Sequence, residues 1–185
     1  MDLAQYWDLI KEKDMEIESL KNEIEILKQR AMFDYTTGMK NKRECMEALH
    51  NEIKKVETNG SRFCVCFADI DGFKGINDKF GHCEGDYVLK RVSEIIKDNI
   101  RHNDELFRYG GDEFVIIFPE ICKFEAQKIW NRVIESIDRC VQDSNLKYRV
   151  NLSAGFSEYN ESKPNSITSI ELLQEADLKM YNNKK

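Results

Sequence analysis

No apolar run in this sequence approaches the length of a membrane-spanning helix, and no signal-peptide pattern opens it. None of the six cysteines, Cys45, Cys64, Cys66, Cys83, Cys122 and Cys140, forms a C-x-x-C pair. Most of them fall among apolar neighbours, which reads as buried, reduced thiols of a cytoplasmic protein rather than disulfides or zinc ligands. Positive charge is not in excess: 28 Lys and Arg stand against 34 Asp and Glu, for a net charge of −6. That argues against a nucleic-acid surface, which needs a basic footprint. An anionic substrate would have to be held by local Lys, Arg or metal. There is no internal repeat and no low-complexity tract. The 185 residues fit one globular domain with room for a real core.

Residues 1–31 lack Gly and Pro altogether. Leu3, Ile10, Ile17, Ile24 and Ala31 recur every seven residues, Tyr6, Leu20 and Leu27 fill intervening positions, and Lys13 breaks the series. This predicts a helix with a coiled-coil seam, against the alternative of a surface helix lying on its own domain. Residues 32–185 make the globular part. Cys45, Ala48, Leu49, Ile53 and Val56 form one helical face behind Asn41 as N-cap, ended by Asn59-Gly60. Arg62 to Ile70 reads as a central strand, because both of its faces are apolar. Phe73 to Phe80 suits a short helix closed by Gly81. Val88, Val92, Ile95 and Ile96 mark a longer one after Gly85-Asp86. Phe124 to Val141 is helical, Tyr148 to Phe156 reads as a strand, and Thr168 with Glu171 forms a capping box for a last helix. The class is α/β with a mixed sheet and helices packed on it.

The stretch "FRYGGDEFVIIF", Phe107 to Phe118, places a tight hairpin at Gly110-Gly111, where glycine tolerates positive φ. Asp112 and Glu113 thereby open a buried strand, while Asp69 closes another. If those strands are neighbours, the carboxylates converge, which is expensive unless a cation neutralises them. Hard oxygens with no His or Cys beside them suit Mg²⁺ or Mn²⁺ rather than zinc. A helix starting after Asp71-Gly72 would turn free N–H groups toward that cation, with Lys74 adding charge. Asn77 and Asp86 could read a guanine edge, since a carboxylate accepts from N1–H and N2–H together; either could equally be a helix cap.

These motifs resemble the GGDEF family, the bacterial diguanylate cyclases. The heptad "RYGGDEF" is joined by "DYTTGMKNKR" from Asp34, "DIDGFKGINDKFGHCEGDYVL" from Asp69, "SAGF" at Ser153 and "ADLKMYNNK" at Ala176, all in family order. The resemblance implies a five-stranded mixed sheet flanked by helices, akin to class III nucleotide cyclases and polymerase palms. It implies condensation of two GTP into cyclic di-GMP with release of two pyrophosphates, by an antiparallel dimer with one GTP per domain and two metals per site. By the same resemblance Asp69, the Ile70 carbonyl, Asp112 and Glu113 should bind metal, and Asp112 should take the ribose 3′-hydroxyl proton. Phe73 and Lys74 should present N–H groups to phosphates, and Lys184 should reach the β- and γ-phosphates. Asn77 and Asp86 should read guanine, and Gly110 and Gly111 should leave room for the α-phosphate. His82 either lies near the nucleotide or closes its turn. Thr36 stands where the family usually has Leu, Met39, Lys42 and Ala154 also depart from its pattern, and a basic residue that often follows Lys185 is absent.

Alternatives are a non-catalytic module sensing GTP or cyclic di-GMP, whose degenerate members usually lose an acid that here persists, and a cyclase of relaxed base choice, which lacks the counterpart of Asp86. Finally, "RHND", Arg101 to Asp104, is either a solvated helix end or the family's inhibitory product site. In the second case Arg101 would bond guanine O6 and N7, Asp104 would accept from N1–H and N2–H, and Arg132 would join from the next helix.

Overall fold

The computed structural model describes residues 3–143, 148–160 and 167–184. The chain divides into two compact units between Phe33 and Asp34. The first is a single helix, α1 (Leu3–Met32). Its repeating apolar residues Ile10, Ile17, Leu20, Ile24 and Leu27 are exposed, and Lys13 pairs with Glu16 on the same helix at 2.5 Å. No described helix is long and apolar enough to cross a membrane.

The second unit is built on β1 (Lys40–Asn41), α2 (Lys42–Asn59), β2 (Arg62–Ile70), α3 (Phe73–Phe80), α4 (His82–Asn99), β3 (Glu105–Gly110), β4 (Glu113–Pro119), α5 (Lys123–Asp143), β5 (Leu152–Asn160) and α6 (Ser169–Asn183). The strands form one five-stranded sheet in the order β1-β3-β4-β2-β5. Only β1 with β3 is parallel, so the sheet is mixed as expected. Strand alternation sorts the core onto two faces. Cys64, Cys66, Ala68 and Ile70 of β2, with Phe114, Ile116 and Phe118 of β4, pack against α3, α4 and α5. Phe63, Val65 and Phe67, with Val115 and Ile117, pack against α2 and α6. The central position of β2 follows from this two-sided burial.

Local chemistry sets the ends. Asn41 accepts hydrogen bonds from the Arg43 and Glu44 amides, and Gly60 closes α2 at φ 68°. The expected capping box at Thr168 and Glu171 is formed. Three expectations need correcting. Gly85 and Asp86 lie inside α4, which starts at His82, so neither Asp86 nor Asn77 is a cap; Gly72 and Gly81 take those places. The last strand begins at Leu152, not Tyr148. Tyr148 instead stacks on Phe80 at 4.9 Å and donates its hydroxyl hydrogen bond to Glu84, which holds the segment off the sheet. The hairpin glycines do not use positive φ: among the described glycines those at positive φ are Gly38, Gly60, Gly72 and Gly81.

Candidate active site

Strands β2 and β4 are direct antiparallel neighbours, and their ladder sets Asp69 opposite Glu113. Both side chains follow the alternation of Phe67 and Val115, toward the α6 side of the sheet. Like charges directly opposite one another on a sheet are destabilising, and the site shows it. Burial pushes the Asp69 carboxyl above its ordinary value, and the charges of Asp112 and Asp71 add to this while Lys184 opposes it. Burial likewise raises Glu113, reinforced by Asp69, Asp112 and Asp177. Asp112 contributes its carbonyl as well, accepting from the Ile70 amide at 3.2 Å, which locks the hairpin end to the end of β2.

Lys184 closes this cluster. Its Nζ lies 2.8 Å from Asp69 Oδ1. The last turn of α6 is aimed there by its seat on β5. A Cβ on Gly155 would stand 2.1 Å from the Ala176 carbonyl oxygen and 2.2 Å from the Met180 nitrogen, so only glycine lets the helix backbone lie this close. Asn183 Nδ2 donates to the Ala154 carbonyl at 2.9 Å, and Lys179 Nζ to that of Phe156 at 3.1 Å. Asp71, the next acid along, instead accepts from the Ser153 hydroxyl at 2.7 Å.

Arg108 fixes the hairpin and was given no role by sequence reasoning. It donates twice to the Gly111 carbonyl, at 3.1 and 2.6 Å, and once to Asp34 Oδ1 at 2.7 Å. Asp34 also accepts from the Thr37 amide and hydroxyl, at 2.8 and 2.7 Å. Burial works to raise the Asp34 pKa, but the bonds from Arg108 and Thr37 outweigh it and hold the carboxyl below its ordinary value. The loop carrying Thr36 is thereby tied to the turn carrying Gly111 and Asp112. A Cβ at Gly110 would meet the end of the Glu113 side chain, Oε2 at 2.7 Å, and would displace that carboxylate rather than any backbone. Around Gly111 a Cβ would meet nothing within 4 Å.

Helices α3 and α4 bring the remaining residues near one another. No side chain caps α3, so the Phe73 and Lys74 amides head it without a side-chain acceptor, three residues beyond the end of β2. Asn77 is laid on α4: a Cβ at Gly85 would stand 2.0 Å from Asn77 Oδ1. This brings the Asn77 amide beside the turn that carries Asp86 in the exposed first part of α4. Sequence reasoning took Gly85 as a helix boundary and gave it no part in the site, although the short spacing of Gly81, Gly85 and Asp86 was its signal. His82, exposed, is the first residue of α4.

Among the described residues no three acidic, His or Cys side chains stand gathered as a ready metal cage. The paired oxygens of Asp69 and Glu113 fit a hard cation that brings phosphate and water ligands with it, which is how Mg²⁺ is usually held.

The family described as "Diguanylate cyclase, GGDEF domain" matches residues 31–185. The chain belongs to the GGDEF family. It is 34% identical over 156 residues to MucR of Pseudomonas aeruginosa, a bifunctional diguanylate cyclase/cyclic di-GMP phosphodiesterase, covering 84% of this chain and 22% of that one. To the diguanylate cyclase DgcS of Shewanella oneidensis it is 32% identical over 155 residues, covering 84% and 50%. It thus spans about a fifth to a half of the length of these relatives. A microbial GGDEF domain solved with cyclic di-GMP is 31% identical, with a TM-score of 0.72 over 85% of this chain and 93% of that one. The coiled coil and GGDEF domain of DgcB from Caulobacter crescentus, solved with cyclic di-GMP, matches at a TM-score of 0.84 over 97% and 94%; at 24% identity this bears on fold alone. The five-stranded mixed sheet flanked by helices is the sheet of these GGDEF structures.

In this GGDEF domain the "RHND" segment lies past the end of α4, in a turn closed by the Asp104 amide donating to the Arg101 carbonyl at 3.0 Å. Arg101 and Asp104 hold each other. The guanidinium donates to Asp104 Oδ1 from Nη2 at 2.6 Å and from Nε at 3.0 Å, and the Arg101 amide donates to Oδ2 at 2.7 Å. Nη2 also reaches the Pro119 carbonyl at 2.9 Å. The Asp104 side chain is wholly buried while that of Arg101 is 39% exposed. Arg132 stands nearby on α5 and donates to the Asn99 carbonyl at the C-terminus of α4.

Proposed function

We propose that this GGDEF domain is an active diguanylate cyclase, condensing two GTP into cyclic di-GMP and releasing two pyrophosphates. The observation that carries this reading is the meeting of Asp69 with Glu113 across the β2–β4 ladder, with Asp112 next to Glu113 in the family's own motif and both facing carboxyls raised by burial. Asp112 accepts the ribose 3′-hydroxyl proton. The 3′-oxygen then bonds to the α-phosphorus of the second GTP as the bond to pyrophosphate breaks, and the same exchange in the opposite sense closes the ring. Asp69, the Ile70 carbonyl and Glu113 would hold Mg²⁺ or Mn²⁺, two per site, which when bound would favour the 3′-alkoxide and offset charge on the leaving pyrophosphate. Phe73 and Lys74 receive phosphate at the head of α3, and Lys184 takes the β- and γ-phosphates. Asn77 and Asp86 select guanine, with His82 at the start of the same helix, and Gly110 and Gly111 admit the α-phosphate.

One domain supplies one GTP, so the reaction needs a homodimer. Residues 1–31 join two copies through their heptad seam, and raise the effective concentration of two 32–185 domains. Product binds at Arg101 and Asp104, with Arg132 at its edge, and holds the two GTP sites apart. Free thiols at Cys45, Cys64 and Cys66 fit a cytoplasmic setting.

Incubation with GTP and Mg²⁺ at several protein concentrations, with products identified by mass, tests the reading. Cyclic di-GMP and pyrophosphate should form with specific activity rising with concentration. Binding of GTP with no product at any concentration would replace the cyclase by a sensing module.

A further inference from the structure

Lys184 sits where the proposed chemistry wants a metal. Its ammonium is 2.8 Å from Asp69 Oδ1, and the Asp69 side chain is only 10% exposed, so this cation meets a nearly buried charge at contact distance. Asp71, the neighbouring acid, is engaged by the Ser153 hydroxyl, which leaves Asp69 as the carboxylate that Lys184 takes. The backbone of α6 is pinned to β5 by the Gly155 contact and by Asn183. The Lys184 side chain itself is 36% exposed, on a flexible four-carbon stem. The anchor is therefore fixed and the charge is free to swing.

We propose that Lys184 is a placeholder cation: it and a divalent metal compete for Asp69, and a nucleotide's phosphates make room for the metal by drawing Lys184 away. Two positive charges at contact distance from one carboxylate repel each other. A triphosphate resolves the conflict, because lysine binds phosphate as a point charge and Mg²⁺ favours phosphate oxygens beside one or two carboxylates. Metal and nucleotide then bind with positive coupling, and the domain without nucleotide keeps a low affinity for metal. This deepens the proposed function and rests on Asp69 as a metal ligand.

The test is Mn²⁺ binding to the full chain, followed by electron paramagnetic resonance of free Mn²⁺. Without nucleotide, Lys184→Met should raise Mn²⁺ affinity at least roughly fivefold, the lower end of ordinary coupling. Lys184→Arg, which keeps the charge, should stay near wild type, and adding Asp69→Asn to Lys184→Met should remove the gain. With a GTP analogue lacking the 3′-hydroxyl, wild-type Mn²⁺ affinity should rise more than that of Lys184→Met. Measurable but equal Mn²⁺ affinity in wild type and Lys184→Met overturns the competition alone. No Mn²⁺ binding by either protein, even with the analogue, removes the metal site itself and the competition with it.

Discussion

At one end of the sheet Glu113 faces Asp69 across the β2–β4 ladder with Asp112 beside them, and the Asp69 and Glu113 carboxyls are pushed above their ordinary values. At the other end, just ahead of β3 and beside the end of β4, Asp104 is more deeply buried and yet fully answered: it accepts from the Arg101 guanidinium and amide, while Arg101 also bonds the Pro119 carbonyl. Strand β4 thus runs between two buried acids in opposite electrostatic condition, Asp69 across from its start and Asp104, just ahead of β3, beside its end. Burial of charge alone does not point to a cation site; burial without sufficient compensation does. The far end repays its desolvation within the fold. The near end does not, and its two facing carboxyls stay raised.

The sharpest way to break this comparison is Asp112→Asn. The amide cannot accept the 3′-hydroxyl proton, and loss of a general base costs on the order of 10²–10⁴-fold in rate. Its removal also relieves repulsion at Asp69 and Glu113. The variant should therefore be inactive in a cyclic di-GMP assay while its midpoint of denaturation stays the same or rises. A clear loss of stability would mean that the near end is held together by Asp112 and is not under-neutralised.

Arg101→Ala should do the reverse. It strips the wholly buried Asp104 carboxylate of its guanidinium. Breaking a buried pair is costly, but Arg101 is partly exposed and the Arg101 amide still donates, so the expected loss is about 2 kcal/mol. Urea denaturation would measure it. The initial rate at a temperature where the variant is folded should remain near wild type, and calorimetry should show binding of cyclic di-GMP outside the active site lost. Unchanged stability would show that Arg101 does not compensate Asp104. Retained binding of product would release Arg101 from the inhibitory role.

The contrast between the ends explains what the sequence disclosed and what it did not. Elements with their own local signals were legible. Phe73 to Gly81 is bounded by glycines, α2 by Asn41 and Gly60, and β2 by apolar residues on both faces. Convergence of Asp69 with Glu113 was legible once two central strands each ended in acid. What failed depends on distant partners. Strand β1 has two residues and no period to read, and exists because Lys40 and Asn41 lie beside Phe107 and Arg108. Tyr148 has strand-like neighbours but is claimed by Phe80 and Glu84. The Asp34–Arg108 clasp spans 74 positions, and the Lys184–Asp69 pair joins the end of α6 to the end of β2. Mutual satisfaction of Arg101 and Asp104 was local, three residues apart. It was hidden because the same two residues also suit a guanine edge.

The smallest effect sharpens the comparison from the far side. Glu120, just past β4, is the one described non-glycine residue at positive φ, at 61°. Its side chain is exposed, and its amide donates to the Arg62 carbonyl at 2.8 Å, so the backbone there is held by the β2 end and not by the glutamate. A left-handed conformation costs an ordinary residue about 1–2 kcal/mol, and Asn adopts it more readily than Glu. Glycine would relieve the strain too, but it gives part of the gain back through a more flexible unfolded chain. Glu120→Asn should therefore stabilise the domain by roughly 0.5 kcal/mol, and Glu120→Gly by no more. Both should leave the initial rate of cyclic di-GMP formation unchanged. Asp112→Asn and Glu120→Asn would then be two substitutions that relax the fold, one at the cost of all activity and one at no cost. A drop in rate with Glu120→Asn would mean that strain at the far end is transmitted along β4 to the acidic hairpin, and that the two ends are not independent.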